Sequence, residues 1–408
     1  MPGADRIPEI RMPGYVVQTL EKIEQCGYEA YIVGGCVRDA LLGRRVHDWD
    51  AATSAPVEAT EKMFPRTVLT GRKYGTVTVL TGGRKVEVTT YRADGEYTDS
   101  RHPEGVVFVS DIRTDLERRD FTMNAMAMDL RGELLDPFGG REDIAAGLIR
   151  CVGDPEKRFS EDALRMLRAV RFSAQLGFEI ESGTLDALRG CAHLVSALSA
   201  ERVRDETEKT IMSSRPEKLY TAFEAGLYDS YLGPSEIPAA LGERLAVLSD
   251  MPFSRQVRWC GLCAVLTEEE VISDAADFLH RFRLDSRTVS AASRGCGIAV
   301  REMPEERLEL KRILAAEGRD AAFCAAAVAD ALYGGSRVRS LKEIAGSGEC
   351  VRRSDLAVSG ADLRDELGIP PGTRMGDILQ AIFEHVLAHP EDNTRKKLLK
   401  LAASLADD

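Results

Sequence analysis

Residues 31–53 read Tyr-Ile-Val-Gly-Gly-Cys-Val-Arg-Asp-Ala-Leu-Leu-Gly-Arg-Arg-Val-His-Asp-Trp-Asp-Ala-Ala-Thr, and the rest of the chain is arranged around them. The apolar run Tyr31-Ile32-Val33 has the length and composition of a short buried strand. Gly34 and Gly35 follow, where the backbone can approach a phosphate closely. A short helical stretch carries Arg38 and Asp39 and stops at Gly43. The segment ends in Asp48-Trp49-Asp50. On a strand, residues two apart share a face. Two carboxylates there, downstream of a glycine turn and an arginine, suit a divalent metal held against a triphosphate. The competing reading of Asp48 and Asp50 alone is a pair of surface aspartates.

The flanking sequence is mixed. Residues 14–27 read as an amphipathic helix with Val17, Leu20 and Ile23 on one face and Gly27 as its stop. Residues 56–64 read as a second short helix opened by Pro56. Residues 75–91 alternate β-branched and polar positions about Gly82-Gly83, which predicts a hairpin. Glu87 lies inside its second strand. It is either a solvent-facing strand residue or a third carboxylate beside Asp48 and Asp50. Residues 92–113 carry little periodicity and read as a polar loop. The stretch from Asp115 contains Arg118-Arg119-Asp120-Phe-Thr-Met-Asn124 and turns apolar, so its second half belongs in a core. Asp136-Pro-Phe-Gly139-Gly140 closes the segment with a turn.

Beyond Pro155 strand signals become scarce. Residues 159–176 predict one long helix with Ser160 as N-cap and Gly177 as stop. On that helix Asp162, Arg165, Arg168 and Arg171 recur every third residue and form an oblique polar stripe, with Leu164, Leu167 and Val170 on the buried side. Most such stripes are solvated faces laced with salt bridges. The alternative has specific chemistry. A carboxylate beside a guanidinium complements the amino group and neighbouring ring acceptor that cytosine and adenine share, and it opposes the carbonyl oxygen of uracil and guanine. Residues 199–213, 305–317 and 320–332 also read as helices. The chain ends in a basic amphipathic helix containing Arg395, Lys396, Lys397 and Lys400. The sequence thus describes an α+β head to about residue 150 and an all-α remainder.

Bulk properties narrow the function. The 408 residues call for two to four domains, and a net charge of −12 argues against a generally basic nucleic-acid coat, though not against a local basic groove. Cys260 and Cys263 form the single Cys-x-x-Cys among nine cysteines. Their apolar setting predicts a buried helix rather than a zinc or redox site. The odd cysteine count and the lack of a signal peptide point to a cytoplasmic protein, and no run is long and apolar enough to span a membrane.

Taken together, the motifs resemble the bacterial class II tRNA nucleotidyltransferases, the CCA-adding enzymes and their poly(A) polymerase relatives. The residues that carry the resemblance are Gly34-Gly35-Cys-Val-Arg38-Asp39-x-Leu-Leu-Gly43 with Asp48-x-Asp50, then Arg118-Arg119-Asp120-Phe-Thr-Met-Asn124, Asp136-x-x-Gly139-Gly140 and Glu161-Asp162-x-x-Arg165. The match spans about residues 14–215. It implies a nucleotidyltransferase palm (a small mixed sheet with helices) over residues 1–150. A helical neck over 151–215 would carry the base-selecting helix, followed by a helical body over 216–345 and a helical tail over 346–408 that contacts tRNA. The implied activity is stepwise addition of C, C and A to the tRNA 3′ end from CTP and ATP. Two Mg²⁺ ions would sit on Asp48 and Asp50, with Glu87 as third carboxylate. Gly35, Arg38 and Arg119 would bind the incoming nucleotide, and Asp162, Arg165, Arg168 and Arg171 its base and surroundings. The polar loop at 92–103 matches the flexible loop of complete CCA-adding enzymes. No His-Asp pair follows the head, so no second hydrolase activity is expected, and no protein partner is inferred. Poly(A) polymerases and CC-only or A-only adders share the head motifs. A catalytically idle tRNA-binding protein on this scaffold is the alternative of another class.

Overall fold

The computed structural model describes residues 10–71, 74–94, 106–233 and 236–407. The chain forms two compact units, Met1–Thr210 with Lys218–Ser230 and Ile211–Glu217 with Tyr231–Asp408. The head expected from the sequence and the expected neck up to residue 210 fall in the first unit, and most of the expected body and tail in the second.

In the first unit, helix α1 (Gly14–Gln25) leads into β1 (Ala30–Val33), α2 (Gly35–Leu41), β2 (Asp50–Thr53), α3 (Val57–Met63), β3 (Thr67–Gly71), β4 (Thr76–Thr81) and β5 (Arg84–Thr90). With β6 (Arg92–Asp94), β7 (Val106–Phe108), helix α4 (Ile112–Glu117), β8 (Ala127–Met128) and β9 (Leu134–Leu135), they complete the head's sheets. The main sheet has seven strands in the order β3-β4-β5-β2-β1-β8-β9. It is mixed: β2 and β5 run parallel, and β1 is antiparallel to both β2 and β8.

Alternation explains how the sheet divides its side chains. Trp49, Ala51, Val86 and Val88 join Val16, Leu20 and Ile23 of α1 in one core cluster. Asp48 and Asp50 flank Trp49 and therefore face the other way. Each fully buried Val, Leu or Ile contributes roughly 1.5–3 kcal/mol relative to exposure, so burial of Trp49 and the valines fixes the orientation of the aspartates. On α1 the buried valine is Val16 rather than Val17, because the stripe passes through Val16, Thr19, Leu20 and Ile23.

Residues 92–113 depart from the expected loop. Arg92–Asp94 pairs antiparallel with Val106–Phe108, and α4 begins at Ile112 with Asp111 as its N-cap. Polar composition hid this two-stranded ribbon. Residues 95–103 of the 92–103 loop lie outside the described residues.

The remainder of the first unit contains α5 (Gly140–Ala146), β10 (Leu148–Ile149), α6 (Pro155–Glu161), α7 (Leu164–Leu176), β11 (Glu179–Ile180), α8 (Ser182–Cys191) and α9 (Ala200–Ile211). The neck is not wholly helical, since β10 and β11 pair in parallel. The single helix expected over 159–176 is two. Asp162 adopts φ −146°, ψ 102°, which ends α6 and lets α7 start in a new direction. The cap of α6 is Asp154, ahead of Pro155, while Ser160 donates back to the Glu156 carbonyl inside the helix.

In the second unit, the helices Arg255–Glu268, Ser286–Ala299 and Arg307–Tyr333 pack closely. A Cβ on Gly295 would lie 2.9 Å from Cys324 Cβ and 3.0 Å from Cys260 Sγ. Gly318, at φ 80° and ψ 171°, breaks the third helix between the two segments that the sequence predicts. Cys260 and Cys263 are fully buried and free, and burial pushes both thiols well above their ordinary pKa. Among the described residues no helix is long and apolar enough to cross a membrane.

Candidate active site

The glycine pair builds one wall of a cleft in the first unit. Gly34 sits at φ 76°, ψ −132°, a conformation that favours glycine. A Cβ there would lie 2.8 Å from Arg119 Nη1, so the missing side chain makes room for that guanidinium. Arg119 is held by Asp115, 3.2 Å from its Nη2. Asp115 is buried, which raises its proton affinity, but Arg119 and Arg118 outweigh this and hold its carboxyl below the ordinary value.

Arg38, on α2, is almost fully buried. Its Nε donates to Asp39 (2.9 Å) and its Nη1 to Asn124 Oδ1 (2.7 Å). Asn124 in turn donates to Asp120 (3.0 Å), and Asp120 accepts from Arg168 Nε and Nη2 at 2.9 and 2.6 Å. A continuous polar chain therefore ties α2 to α7. Burial raises the proton affinity of Asp120, but Arg168, Asn124 and the Phe121 amide more than reverse it and bring the pKa to about 2.

Three arginines surround one ring. Arg38, Arg168 and Arg171 place their guanidinium carbons 4.9, 5.3 and 4.2 Å from the centre of Phe172. Cation–π attraction offsets part of their mutual repulsion. Arg171 also faces Glu206 at 2.9 Å, but neither atom of that pair makes a well-aligned hydrogen bond. Burial lowers the Arg171 pKa to about 10; Glu206 opposes the shift, and Arg168 and Arg38 add to it. This corner of the cleft is built to receive negative charge.

The carboxylate corner is the reverse. Asp48 is exposed beside Lys85, 3.2 Å away. Asp50 opens β2, directly opposite Glu87 on the parallel strand β5. Burial, then the like charge of Glu87, raises the Asp50 pKa to about 6; Arg119 opposes this and Asp48 adds to it.

All the sequence-predicted site residues except Glu87 line this one cleft, which encloses about 610 Å³. They are Gly35, Arg38, Asp48, Asp50, Arg119, Asp162, Arg165, Arg168 and Arg171. Glu87 shares a sheet face with Asp50 but is not part of the lining. The described residues contain no group of three or more carboxylate, imidazole or thiolate side chains placed to share an ion.

The stripe on α7 is not a solvated face. Arg165 is 8 % exposed; it donates to Glu161 (2.7 Å) and to the carbonyls of Arg158 (3.0 Å) and Arg118 (2.9 Å). Asp162 is not oriented by Arg168 or Arg171. Its carboxylate meets Nη2 of Arg202, on α9, at 3.2 and 3.0 Å, and accepts from the Leu164 amide at 3.1 Å. Sequence reasoning missed Arg202, because nothing local links it to a residue forty positions earlier. It also missed Phe172, although an aromatic four residues after Arg168 on one helix carries the signal.

Residues 30–150 match the family described as the Poly A polymerase head domain. Residues 177–235 match the "Probable RNA and SrmB- binding site of polymerase A", and residues 254–402 match the tRNA nucleotidyltransferase domain 2. The chain is 39% identical over 391 residues to the CCA-adding enzyme of Geobacillus sp. (strain WCH70), covering 94% of each. It is 34% identical to that of Ligilactobacillus salivarius, covering 95% of this chain and 96% of the relative. The crystal structure of the Bacillus stearothermophilus CCA-adding enzyme in complex with CTP superimposes with a TM-score of 0.82 at 33% identity, covering 97% of this chain and 98% of that one.

Proposed function

Because this chain belongs to the bacterial class II CCA-adding enzymes, a nucleotidyltransferase family, we propose that it builds the 3′-terminal C-C-A of tRNA one nucleotide at a time from CTP and ATP. The observation that carries this reading is the convergence of Asp48 and Asp50 with Asp162 and Arg165 on one cleft. One pair serves bond formation and the other the choice of base.

Two Mg²⁺ ions would be held by Asp48 and Asp50. The residues fit: they are hard oxygen donors, and Asp50 is a carboxylate whose pKa is raised first by burial and then by the negative charge of Glu87. When bound, the ions supply charge for the triphosphate and make the primer 3′-hydroxyl more acidic. Glu87 stands one strand away from Asp50 and adds negative potential to the same face. The Gly34-Gly35 backbone would let the nucleotide approach α2. Arg38 and Arg119 would bind its phosphates, and the Arg38–Arg168–Arg171 corner would draw the anion in. Asp162 would accept from the amino group of cytosine or adenine, and Arg165 would donate to the neighbouring ring acceptor. A carbonyl oxygen in place of the amino group, as in uracil and guanine, would face the Asp162 carboxylate and be repelled.

Head, neck, body and tail would divide at about residues 150, 215 and 345, with the second unit contributing tRNA contacts. Its terminal helix, Arg395–Asp407, offers less free charge than its sequence suggests. Arg395 pairs with Asp362 and Glu366, and Lys397 with Asp392, while Lys396 and Lys400 are exposed. The setting would be the cytoplasm, where tRNA and nucleoside triphosphates meet.

The test is incorporation into tRNA ending before C-C-A, with each nucleotide offered alone and in pairs. We expect C from CTP alone, A only after two C residues, and little U or G. Addition of A to unrelated RNA without C would replace this reading with a poly(A) polymerase.

A further inference from the structure

We infer that Arg202 is a positioning residue for base selection. It acts on the nucleotide only through Asp162, and this inference rests on the reading of Asp162 given above. Asp162 occupies the break between α6 and α7 with extended backbone angles. Two contacts place its side chain. The Leu164 amide donates to Oδ1 at 3.1 Å, and Arg202 Nη2 straddles Oδ1 and Oδ2 at 3.2 and 3.0 Å. A carboxylate has about four lone-pair directions. With these contacts made, its remaining capacity is turned toward the cleft that it lines.

Arg202 itself does not line that cleft. It belongs to α9, and its Nη1 is buried without a hydrogen-bond partner. Among the described residues, Arg202 forms its ion pair with Asp162, so the residue is committed to that carboxylate. The pair does two things. It sets the rotation of the carboxylate plane, which decides whether an amino group in the cleft meets a lone pair. It also keeps the acceptor from swinging toward solvent. Discrimination of C and A from U and G thereby depends on α9, although no atom of α9 need reach the base.

The test compares Arg202→Gln, Arg202→Lys, Asp162→Asn and the double variant Asp162→Asn/Arg202→Gln. Arg204→Gln is the control, since Arg204 lies on the same helix and pairs with its neighbour Asp205. The readout is kcat/KM for CTP and ATP against UTP and GTP, with melting temperature alongside. We expect Arg202→Gln to cut the C-and-A preference by on the order of tenfold, the scale of one charge-assisted hydrogen bond. Arg202→Lys should recover part of it, and the double variant should select no worse than Asp162→Asn alone. Should Arg202→Gln not fold, Arg202→Lys is judged by the same ratio. An equal fall with all four nucleotides, or unchanged selectivity, overturns the positioning role. Unchanged selectivity in Asp162→Asn overturns instead the reading on which it rests.

Discussion

Asp50 and Glu87 stand opposite each other in register on the parallel strands β2 and β5. Burial raises the pKa of Asp50, and repulsion from Glu87 on the same sheet face adds to it, bringing the pKa to about 6. The fold therefore holds an ionised Asp50 at neutral pH at the expense of stability.

Asp50→Asn should raise the melting temperature at pH 7.5 in the presence of a chelator, while abolishing nucleotide incorporation. Mg²⁺ should raise the melting temperature of the native protein and have little effect on the variant. A variant that melts lower than the native protein under chelation would contradict this account of Asp50.

Asp120 shows the opposite shift. Its pKa is near 3.8 unfolded and about 2 folded. The folded value is depressed, so the stabilisation is present above the unfolded value and is lost as pH falls through the folded one. It amounts to about 2 kcal/mol. Urea unfolding of Asp120→Asn should show a deficit against the native protein at pH 7 that shrinks as pH falls from about 5 toward 2. A deficit independent of pH would place the loss in packing rather than in the charge on Asp120.

Phe172→Leu removes the ring shared by Arg38, Arg168 and Arg171. A cation–π contact contributes about 0.5–2 kcal/mol, according to how far it is desolvated. With three arginines released, KM for CTP and ATP should rise about tenfold. Preference for C and A over U and G should not change, because Asp162 and Arg202 are untouched. An unchanged KM would remove Phe172 from nucleotide binding.

Gly34→Ala combines positive φ with a 2.8 Å approach to Arg119. It should cost about 2 kcal/mol or more and raise KM by displacing Arg119. Gly35→Ala is the contrast. Its Cβ would meet Arg38 Nη2 at 3.5 Å, an ordinary contact, and the residue lies within α2. Its effect on stability should be small. Equal losses in the two variants would show that Gly34 is not distinguished by its backbone.

Much of the head was legible because its signals are local. Gly34 and Gly43 bound a short helix, Gly82-Gly83 turn a hairpin, and Trp49 alternates with two aspartates. Helix α7 shows where local reading fails. Its spacing of three correctly groups Arg165, Arg168 and Arg171, yet each goes to a different partner: Glu161, Asp120 and Glu206. The break at Asp162 was also invisible, since nothing in Glu-Asp-Ala-Leu is a helix breaker. The short ribbon β6–β7 was obscured by the polar residues around it.

By itself the sequence determined which residue types could meet a nucleotide and on which face of each element they lie, because helix and strand periods are properties of the backbone. Only the tertiary structure decided the pairings. Glu87 was brought opposite Asp50 by parallel strand pairing across an intervening hairpin. Arg202 was brought to Asp162 by the docking of α9, and three arginines were gathered on Phe172 where the chain Arg38–Asn124–Asp120–Arg168 joins α2 to α7. Such contacts join residues far apart in the chain, and packing of whole elements, not local propensity, fixes which charge meets which.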